Sequence, residues 1–271
     1  MLDQNKIYQC GKNAIALEIK ALQHLHEHID EKSFTQACQF ILNSDGKVIV
    51  IGVGKSGHIG NKIASTFAST GTPSFFVHPG EAAHGDLGML ESKDIVLAIS
   101  HSGESPEIQT ILPIIKRKGM KIISLTGNAQ STLSQLADIN LSVNTPQEAC
   151  PLGLAPTSST TATLVIGDAL AVALLSSKGF TDRDFALSHP GGNLGKKLLL
   201  RIEDVMHSSP YLPIVSEHTS ISDALLEMTN KGLGMTAIVD HNQKLIGIFT
   251  DGDLRRTLDQ KVDIPLPFKI L

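Results

Sequence analysis

The sequence predicts an α/β protein with a five-stranded parallel sheet covered by helices on both faces, followed by a small α+β unit. Short apolar segments alternate with segments of helical periodicity, and we assign strands to residues 47–51, 74–77, 94–99, 121–125 and 139–143. Continuous apolar strands separated by helices are typical of a parallel sheet buried on both faces. The pattern changes near Leu200, where shorter elements begin.

The helices follow from periodicity and end signals. Apolar residues at helical spacing predict a helix over residues 4–28, and Ser33 can cap a second helix that ends at Leu42. Between the strands, helices are predicted near residues 56–70, 106–118 and 131–137. Residues 158–177 are rich in Ala, Leu and Val, which indicates a long helix that is buried in the core or faces another subunit, and the core is favoured.

The segment after Leu200 predicts a β-α-β-β-α unit. An extended piece at 212–215 precedes an amphipathic helix, then strands at 235–240 and 245–249 and a helix from Asp251. Such a unit is too small to bury its own sheet well, so we expect it to pack against a partner unit.

Composition narrows the class of protein. The 271 residues carry a net charge of −4 and no basic block, which argues against a nucleic-acid partner. The N-terminus lacks the apolar core of a signal peptide, and the most apolar stretch, residues 162–175, is short for a membrane span and contains Asp168. Three cysteines without metal or redox spacing indicate free thiols. These features predict a cytoplasmic protein without a membrane segment.

The same local pattern occurs twice, at residues 47–58 and 96–107. In each, an apolar strand is followed by a loop of small residues, and a helix begins after the loop. Helix N-termini favour anions, and the loops supply the hydroxyls of Ser56, Ser100, Ser102 and Ser105. If the two strands are neighbours in a parallel sheet, the loops converge on one crevice at the carboxyl ends. This predicts a site for a phosphorylated small molecule.

Two other phosphate-binding patterns fit the chain less well. Gly52, Gly54 and Gly57 fit the G-x-G-x-x-G pattern of dinucleotide sites. However, the second strand runs into His78 and Pro79, where a dinucleotide site would place an acidic residue. A Walker A loop fails because Ile49 stands where its first glycine would be. A phosphosugar site is favoured, with a dinucleotide site or a structural glycine turn as alternatives.

Longer strings carry a resemblance to known families. Residues 30–199 resemble a sugar isomerase (SIS) domain, and residues 204–260 resemble one cystathionine-β-synthase (CBS) repeat. The strings that resemble the arabinose 5-phosphate isomerase family are GKSGH at 54–58, FFVHPGEAAHGDLG at 75–88, EACPLGLAPTSST at 148–160 and SHPGG at 188–192. The implied domains are 1–200 and 201–271. That family carries two CBS repeats and this sequence one, which indicates a shortened chain or repeats that pair between subunits.

The resemblance implies an aldose–ketose isomerase that interconverts D-ribulose 5-phosphate and D-arabinose 5-phosphate through an enediol and supplies Kdo for lipopolysaccharide. It also implies a homotetramer and a nucleotide or sugar nucleotide at the CBS unit. The chemistry requires a base that reaches two neighbouring carbons and a donor for the oxyanion. Two alternatives remain: a non-catalytic phosphosugar sensor and an isomerase of another ketose phosphate.

Four catalytic positions are implied by the resemblance. Lys55 would stabilise the oxyanion, Glu107 or Glu148 would be the base, and His189 would open the sugar ring or bind its hydroxyls across a subunit interface. Glu107 falls in the first turn of a helix, where a glutamate often only complements the dipole. Glu148 falls in an irregular loop without such a structural reason, so it is the favoured base.

The resemblance also implies substrate contacts at Gly71, Thr72, His78, His84, Asn144, Thr145 and Pro146. Glu81 is a further candidate base, because a similar Glu-x-x-His-Gly string occurs in glucosamine-6-phosphate synthase isomerase domains. His78 matches a zinc-contact position of the family. We expect no required cofactor, with zinc either bound or inhibitory. The helical segment 110–119 also matches a substrate-side segment, but packing explains it better.

Overall fold

The computed structural model describes residues 3–192, 195, 197, 198 and 200–259. The chain forms two compact units, residues 1–199 and 200–271.

The first unit contains the predicted parallel sheet. Its strands are β1 (Val48–Gly52), β2 (Ser74–Val77), β3 (Ile95–Ile99), β4 (Lys121–Thr126) and β5 (Ile139–Ser142), in the order β2-β1-β3-β4-β5 with every pair parallel. β1 and β3 are neighbours, with Gly52 opposite Ile99. The loops that follow these two strands therefore open at the same edge of the sheet, as predicted.

Helices cover both faces of this sheet. The helices are α1 (Gln4–His28), α2 (Glu31–Leu42), α3 (Gly54–Ser69), α4 (Pro79–Ala83), α5 (Pro106–Arg117), α6 (Thr132–Leu136), α7 (Ser158–Ser177) and α8 (Asp182–Ser188), with a 3-10 turn at Asp86–Met89. Val48 and Val50 pack with residues of α1, α2, α3 and α7, whereas Ile49 and Ile51 pack with residues of α4, α5 and α6. The buried Ile111 and Ile115 confirm that α5 is a packing helix.

α3 and α7 lie side by side and run in the same direction. Gly167 of α7 abuts Ile63, Asp168 pairs with Lys62 at 2.6 Å, and Lys178 at the end of α7 bonds Thr72 just beyond α3. The N-termini of both helices therefore lie at the same end of the sheet. α7 is long and apolar enough to span a membrane by length and composition, but half of its apolar window is buried against protein.

The second unit has a mixed three-stranded sheet. Its elements are α9 (Ile202–Val205), β6 (Ile214–Ser216), α10 (Ile221–Lys231), β7 (Met235–Val239), β8 (Leu245–Thr250) and α11 (Asp251–Asp259). β7 pairs parallel with β6 and antiparallel with β8. Leu245, Ile246 and Ile248 of β8 are each more than half exposed. Such exposure is expected of a unit that packs against a partner, which stays a prediction.

Candidate active site

A cleft of about 340 Å³ lies at the carboxyl ends of β1 and β2. It is lined by Gly54, Gly57, His58, Asn61, Phe76 and His78. His58 and Asn61 were not among the site residues predicted from the sequence. Their spacing of four and seven residues from Gly54 is that of one helix face, which is the signal that would have found them.

The glycines of the first loop allow close packing between β1 and α3. A Cβ on Gly57 would lie 2.9 Å from the carbonyl oxygen of Gly52, and Gly54 has φ +56°, a conformation that favours glycine. The G-x-G-x-x-G pattern thus has a structural reason here. No side chain caps the N-terminus of α3, so its backbone N–H groups can receive an anion. Lys55 is exposed in the first turn of this helix.

The second loop is built around a buried serine. Ser100 is 3% exposed; its hydroxyl lies 2.8 Å from the Ser105 hydroxyl and accepts a hydrogen bond from Gly103 N at 3.1 Å. Ser105 is the N-cap residue of α5, yet its side chain makes no capping hydrogen bond. Ordinary capping, the alternative role for this serine, is therefore not what the structure shows. Ser102 is exposed at the tip of the loop.

A second layer of contacts holds this loop in shape. Glu104 accepts hydrogen bonds from Thr132 N and from the Gln109 side chain, both at 2.7 Å. The bond from Thr132 is the main reason that the pKa of the Glu104 carboxyl lies below its usual range. Gly103 has φ +70°, and a Cβ there would clash with the Ser131 side chain. The serine loop thus has little freedom to adopt another shape.

Glu148 has a structural role that the sequence did not predict. Its Oε2 accepts hydrogen bonds from Thr157 N at 2.7 Å, Thr157 Oγ1 at 2.9 Å and Ser159 N at 3.3 Å. The carboxylate therefore caps α7, and the premise that Glu148 lacks a structural reason was wrong. Burial would raise its pKa, but the hydrogen bonds from Ser159 and Thr157 outweigh burial and lower it. Glu148 is thus an ionised, oriented carboxylate at neutral pH.

The parallel packing of α3 and α7 brings Glu148 towards Lys55. The contacts between Ile63 and Gly167 and between Lys62 and Asp168 pair residues that are 104 to 106 positions apart. The same offset at the start of the two helices places Ser159 of α7 beside Gly54 of α3. Ser159 N donates a hydrogen bond to Glu148. Packed helix axes are about 8–10 Å apart. The first turn of α3, which contains Lys55, and the Glu148 carboxylate therefore lie at the same end of the sheet.

Glu107 lies on the other side of this crevice. It is exposed in the first turn of α5, which covers the face of the sheet opposite to α3 and α7. In contrast to Glu148, its carboxylate is not oriented by a hydrogen bond within the described residues. The two candidate bases thus differ in how far the protein orients them before substrate binds.

Three predicted site residues lie at the opposite end of the sheet. Gly71 and Thr72 precede β2, and Lys178 Nζ donates to Gly71 O at 3.1 Å and to Thr72 Oγ1 at 2.9 Å. His189 ends α8, and the 7 residues of that helix span only about 10 Å. α7, with 20 residues, is about 30 Å long, so α8 cannot return His189 to the crevice of its own chain. The structure does not bring these three residues to the serine loops.

The remaining predicted residues lie at the carboxyl ends of the strands, at the same edge of the sheet as the serine loop. Asn144, Thr145 and Pro146 follow β5 in the loop that leads to Glu148, and Asn144 and Pro146 are exposed. His78 is the N-cap of α4, where its Nδ1 accepts a hydrogen bond from Gly80 N at 3.1 Å. His84 ends the same short helix, and Glu81 is exposed within it.

The histidines do not form an evident zinc site. Over residues 3–192 and 200–259 and the few described between them, no group of three or more His, Cys, Asp or Glu side chains could hold a metal ion. His78 has one ring nitrogen engaged in capping α4. The described residues of one chain therefore do not fit a resident metal.

Comparison with known proteins identifies both units. Residues 41–173 match the SIS domain family, and residues 202–260 match the CBS domain family. Arabinose 5-phosphate isomerase KdsD of Yersinia pestis is 60% identical over 94% of this chain and 78% of that protein. KdsD of Escherichia coli K12 is 59% identical over the same shares.

Solved structures share the fold of the first unit. A protein of Escherichia coli CFT073, solved in complex with arabinose 5-phosphate, has 44% identity and a TM-score of 0.68, with 70% of this chain and all of that chain covered. A Listeria monocytogenes structure has 31% identity and a TM-score of 0.69 over equal shares. Since this chain covers 78% of relatives that are about 60% identical to it, it belongs to the arabinose 5-phosphate isomerase family, with an SIS domain followed by a CBS domain.

Proposed function

We propose that this protein interconverts D-ribulose 5-phosphate and D-arabinose 5-phosphate through an enediol, and so supplies arabinose 5-phosphate for Kdo synthesis. The observation that carries the proposal is the convergence, at one edge of the sheet, of two helix N-termini without side-chain caps, a lysine and an oriented carboxylate. The names of relatives 59–60% identical to the chain support arabinose 5-phosphate as one member of the substrate pair.

The proposed roles follow from chemistry and position. The phosphate binds the hydroxyls of Ser56, Ser102 and Ser105 together with backbone N–H groups of α3 and α5. Its binding energy orients the reacting end of the sugar. Lys55 stabilises the negative charge that develops on oxygen as the proton leaves carbon.

Glu148 takes the proton from C1 of the ketose and returns it to C2. A base must be held in a fixed position to serve two neighbouring carbons, and the hydrogen bonds on Oε2 provide this orientation. The lowered pKa keeps the carboxylate ionised, which a proton acceptor requires, although it weakens the carboxylate as a base. Glu107 is the second candidate for this role.

His189 would act in the site of a second copy of the chain. Its ring stacks on Phe185 at 4.2 Å, and its Nδ1 lies 3.2 Å from the carbonyl oxygen of Phe185. These contacts fix the ring and leave Nε2 for the substrate. Because α8 lies at the far end of its own sheet, the proposal requires an oligomer, and we propose the homotetramer that the resemblance implies.

A phosphosugar sensor would need the serine loops but no base. The experiment that separates the two functions is incubation with D-ribulose 5-phosphate in deuterium oxide. An isomerase incorporates solvent deuterium at C2 of the aldose product, which NMR detects. A protein that binds the sugar phosphate without exchange of any carbon-bound proton would be a sensor.

Removal of residues 200–271 is expected to leave isomerase activity within a few-fold of the full chain. Every proposed catalytic residue lies in the first unit, and the relative solved with arabinose 5-phosphate is matched over its whole length by 70% of this chain. The comparison uses kcat and KM of the full and shortened chains, with size-exclusion chromatography as the control for assembly. Loss of turnover in a folded, correctly assembled shortened chain would place residues after 199 in the site. The second unit is proposed to bind a nucleotide or sugar nucleotide and to regulate the first.

Treatment with a chelator is expected to leave activity unchanged or to increase it. The proposed proton transfer uses Glu148 and Lys55 and requires no Lewis acid, whereas zinc at His78 would obstruct the cleft that this residue lines. Activity is measured before and after EDTA, followed by stepwise addition of zinc, with a His78→Gln variant as control. Activity that vanishes with EDTA and returns with zinc would contradict this expectation.

A further inference from the structure

The turn that precedes α7 contains a hydrogen-bond relay centred on Thr157. Its hydroxyl oxygen accepts hydrogen bonds from Ala149 N at 2.8 Å and Cys150 N at 3.3 Å, and donates its proton to Glu148 Oε2 at 2.9 Å. Two acceptor contacts and one donor contact use the full capacity of a hydroxyl group. The direction of the relay is therefore fixed, because only the carboxylate can receive the hydroxyl proton.

The Thr157 hydroxyl is one of three donors that engage the same oxygen of Glu148. Oε2 accepts the bonds from Thr157 N, Thr157 Oγ1 and Ser159 N, and Oε1 accepts none of these three. The Ser159 side chain also lowers the pKa of this carboxyl group, so Thr157 shares the role of holding it ionised. Hydrogen bonds to a charged acceptor are stronger than those between neutral groups, so they hold the carboxylate in one rotamer. Ala149 and Cys150 directly follow Glu148 in the chain. The Thr157 hydroxyl therefore bonds both the Glu148 side chain and the backbone next to it.

We propose that Thr157 is a positioning residue for the isomerase reaction: its hydroxyl holds Oε2 of Glu148 so that Oε1 faces the reacting carbons of the substrate. The inference rests on the proposed function, because it assigns Thr157 to the same carboxylate. Thr157 does not itself touch the sugar. It acts by keeping Glu148 ionised and in one orientation.

Three variants of the full chain test this role. Thr157→Val removes the hydroxyl and keeps the side-chain shape, whereas Thr157→Ser keeps the hydroxyl. Ser158→Ala is the matched control, because the Ser158 hydroxyl is buried next to Thr157 without a hydrogen-bond partner in the described part of the chain. Loss of that hydroxyl breaks no contact with Glu148.

The readout is the pH dependence of kcat with D-ribulose 5-phosphate. In Thr157→Val we expect kcat to fall about 10-fold with KM nearly unchanged, because the base is displaced while the phosphate contacts persist. The acidic limb of the profile should move to higher pH by roughly half to one unit, since the carboxylate loses a donor. Thr157→Ser and Ser158→Ala should follow the unmodified chain. An acidic limb at the same pH in Thr157→Val, or a Thr157→Ser variant as impaired as the valine variant, would overturn the proposal.

Thermal unfolding of the same variants separates this proposal from the proposed function. A carboxyl whose pKa is lowered by folding stabilises the protein above its unfolded pKa, and this contribution is lost as the pH falls through the folded pKa. The Tm difference between the unmodified chain and Thr157→Val should therefore shrink from pH 7 to pH 4. If the unmodified chain does not isomerise ribulose 5-phosphate, the proposed function fails while this test still applies. A Tm difference independent of pH would overturn the link between Thr157 and Glu148.

Discussion

Replacement of Glu148 by Gln is expected to lower kcat by about 10²–10⁴, the usual contribution of a positioned general base. Gln keeps the size of the side chain and an oxygen that can accept the bonds from Thr157 N and Ser159 N, so the cap of α7 is retained. Loss of the favourable interaction between the charge and the helix N-terminus costs about 0.3–1 kcal/mol of stability, and the retained hydrogen bonds become weaker. KM should change little because substrate affinity depends mainly on the phosphate.

Glu107→Gln is the comparison that decides which glutamate is the base. Glu107 has the same chemistry and lies at the N-terminus of another helix that opens on the crevice, but it lacks the fixed orientation of Glu148. Both variants are assayed for turnover and for deuterium exchange into the sugar. If Glu107→Gln abolishes exchange while Glu148→Gln still exchanges, Glu107 is the base and Glu148 orients the sugar hydroxyls.

The sheet could be predicted because its signals are local. Each apolar strand is followed by a small-residue loop and a periodic helix, and this order fixes parallel strands whose loops share an edge. The short helices α4 and α8 were not predicted, since 5 and 7 residues give periodicity little to act on; the equally short α6 was predicted because it lies between two predicted strands. Because α4 was not predicted, the role of His78 as its N-cap was not predicted either.

The role of Glu148 could not be predicted because its partners are distant in sequence. Thr157 and Ser159 lie 9 and 11 residues further along, beyond an irregular loop with no periodic pattern. The position of His189 depends on the direction of α7, which only the contacts with α3 reveal. Site residues implied by one family resemblance therefore lie at two opposite ends of the sheet within one chain.

Replacement of both Ser102 and Ser105 by Ala is expected to raise KM for ribulose 5-phosphate by about 10²-fold or more, because hydrogen bonds to a charged group each contribute about 1.5–3 kcal/mol. Turnover at saturation should fall less than kcat/KM, since the reacting groups remain. Ser100 is left unchanged because it is buried and holds Gly103 N, so its loss would distort the loop itself.

Two measurements tie this effect to the phosphate. Inhibition by inorganic phosphate should weaken in parallel with substrate affinity, because both anions use the same loop and the same helix N-termini. Ser177→Ala is the matched control: its hydroxyl donates to Ala173 O near the far end of α7, away from the crevice. It should keep the KM of the unmodified chain. An unchanged KM and unchanged phosphate inhibition in the Ser102 and Ser105 double variant would place the phosphate elsewhere, and the first loop with Ser56 would be the next position to test.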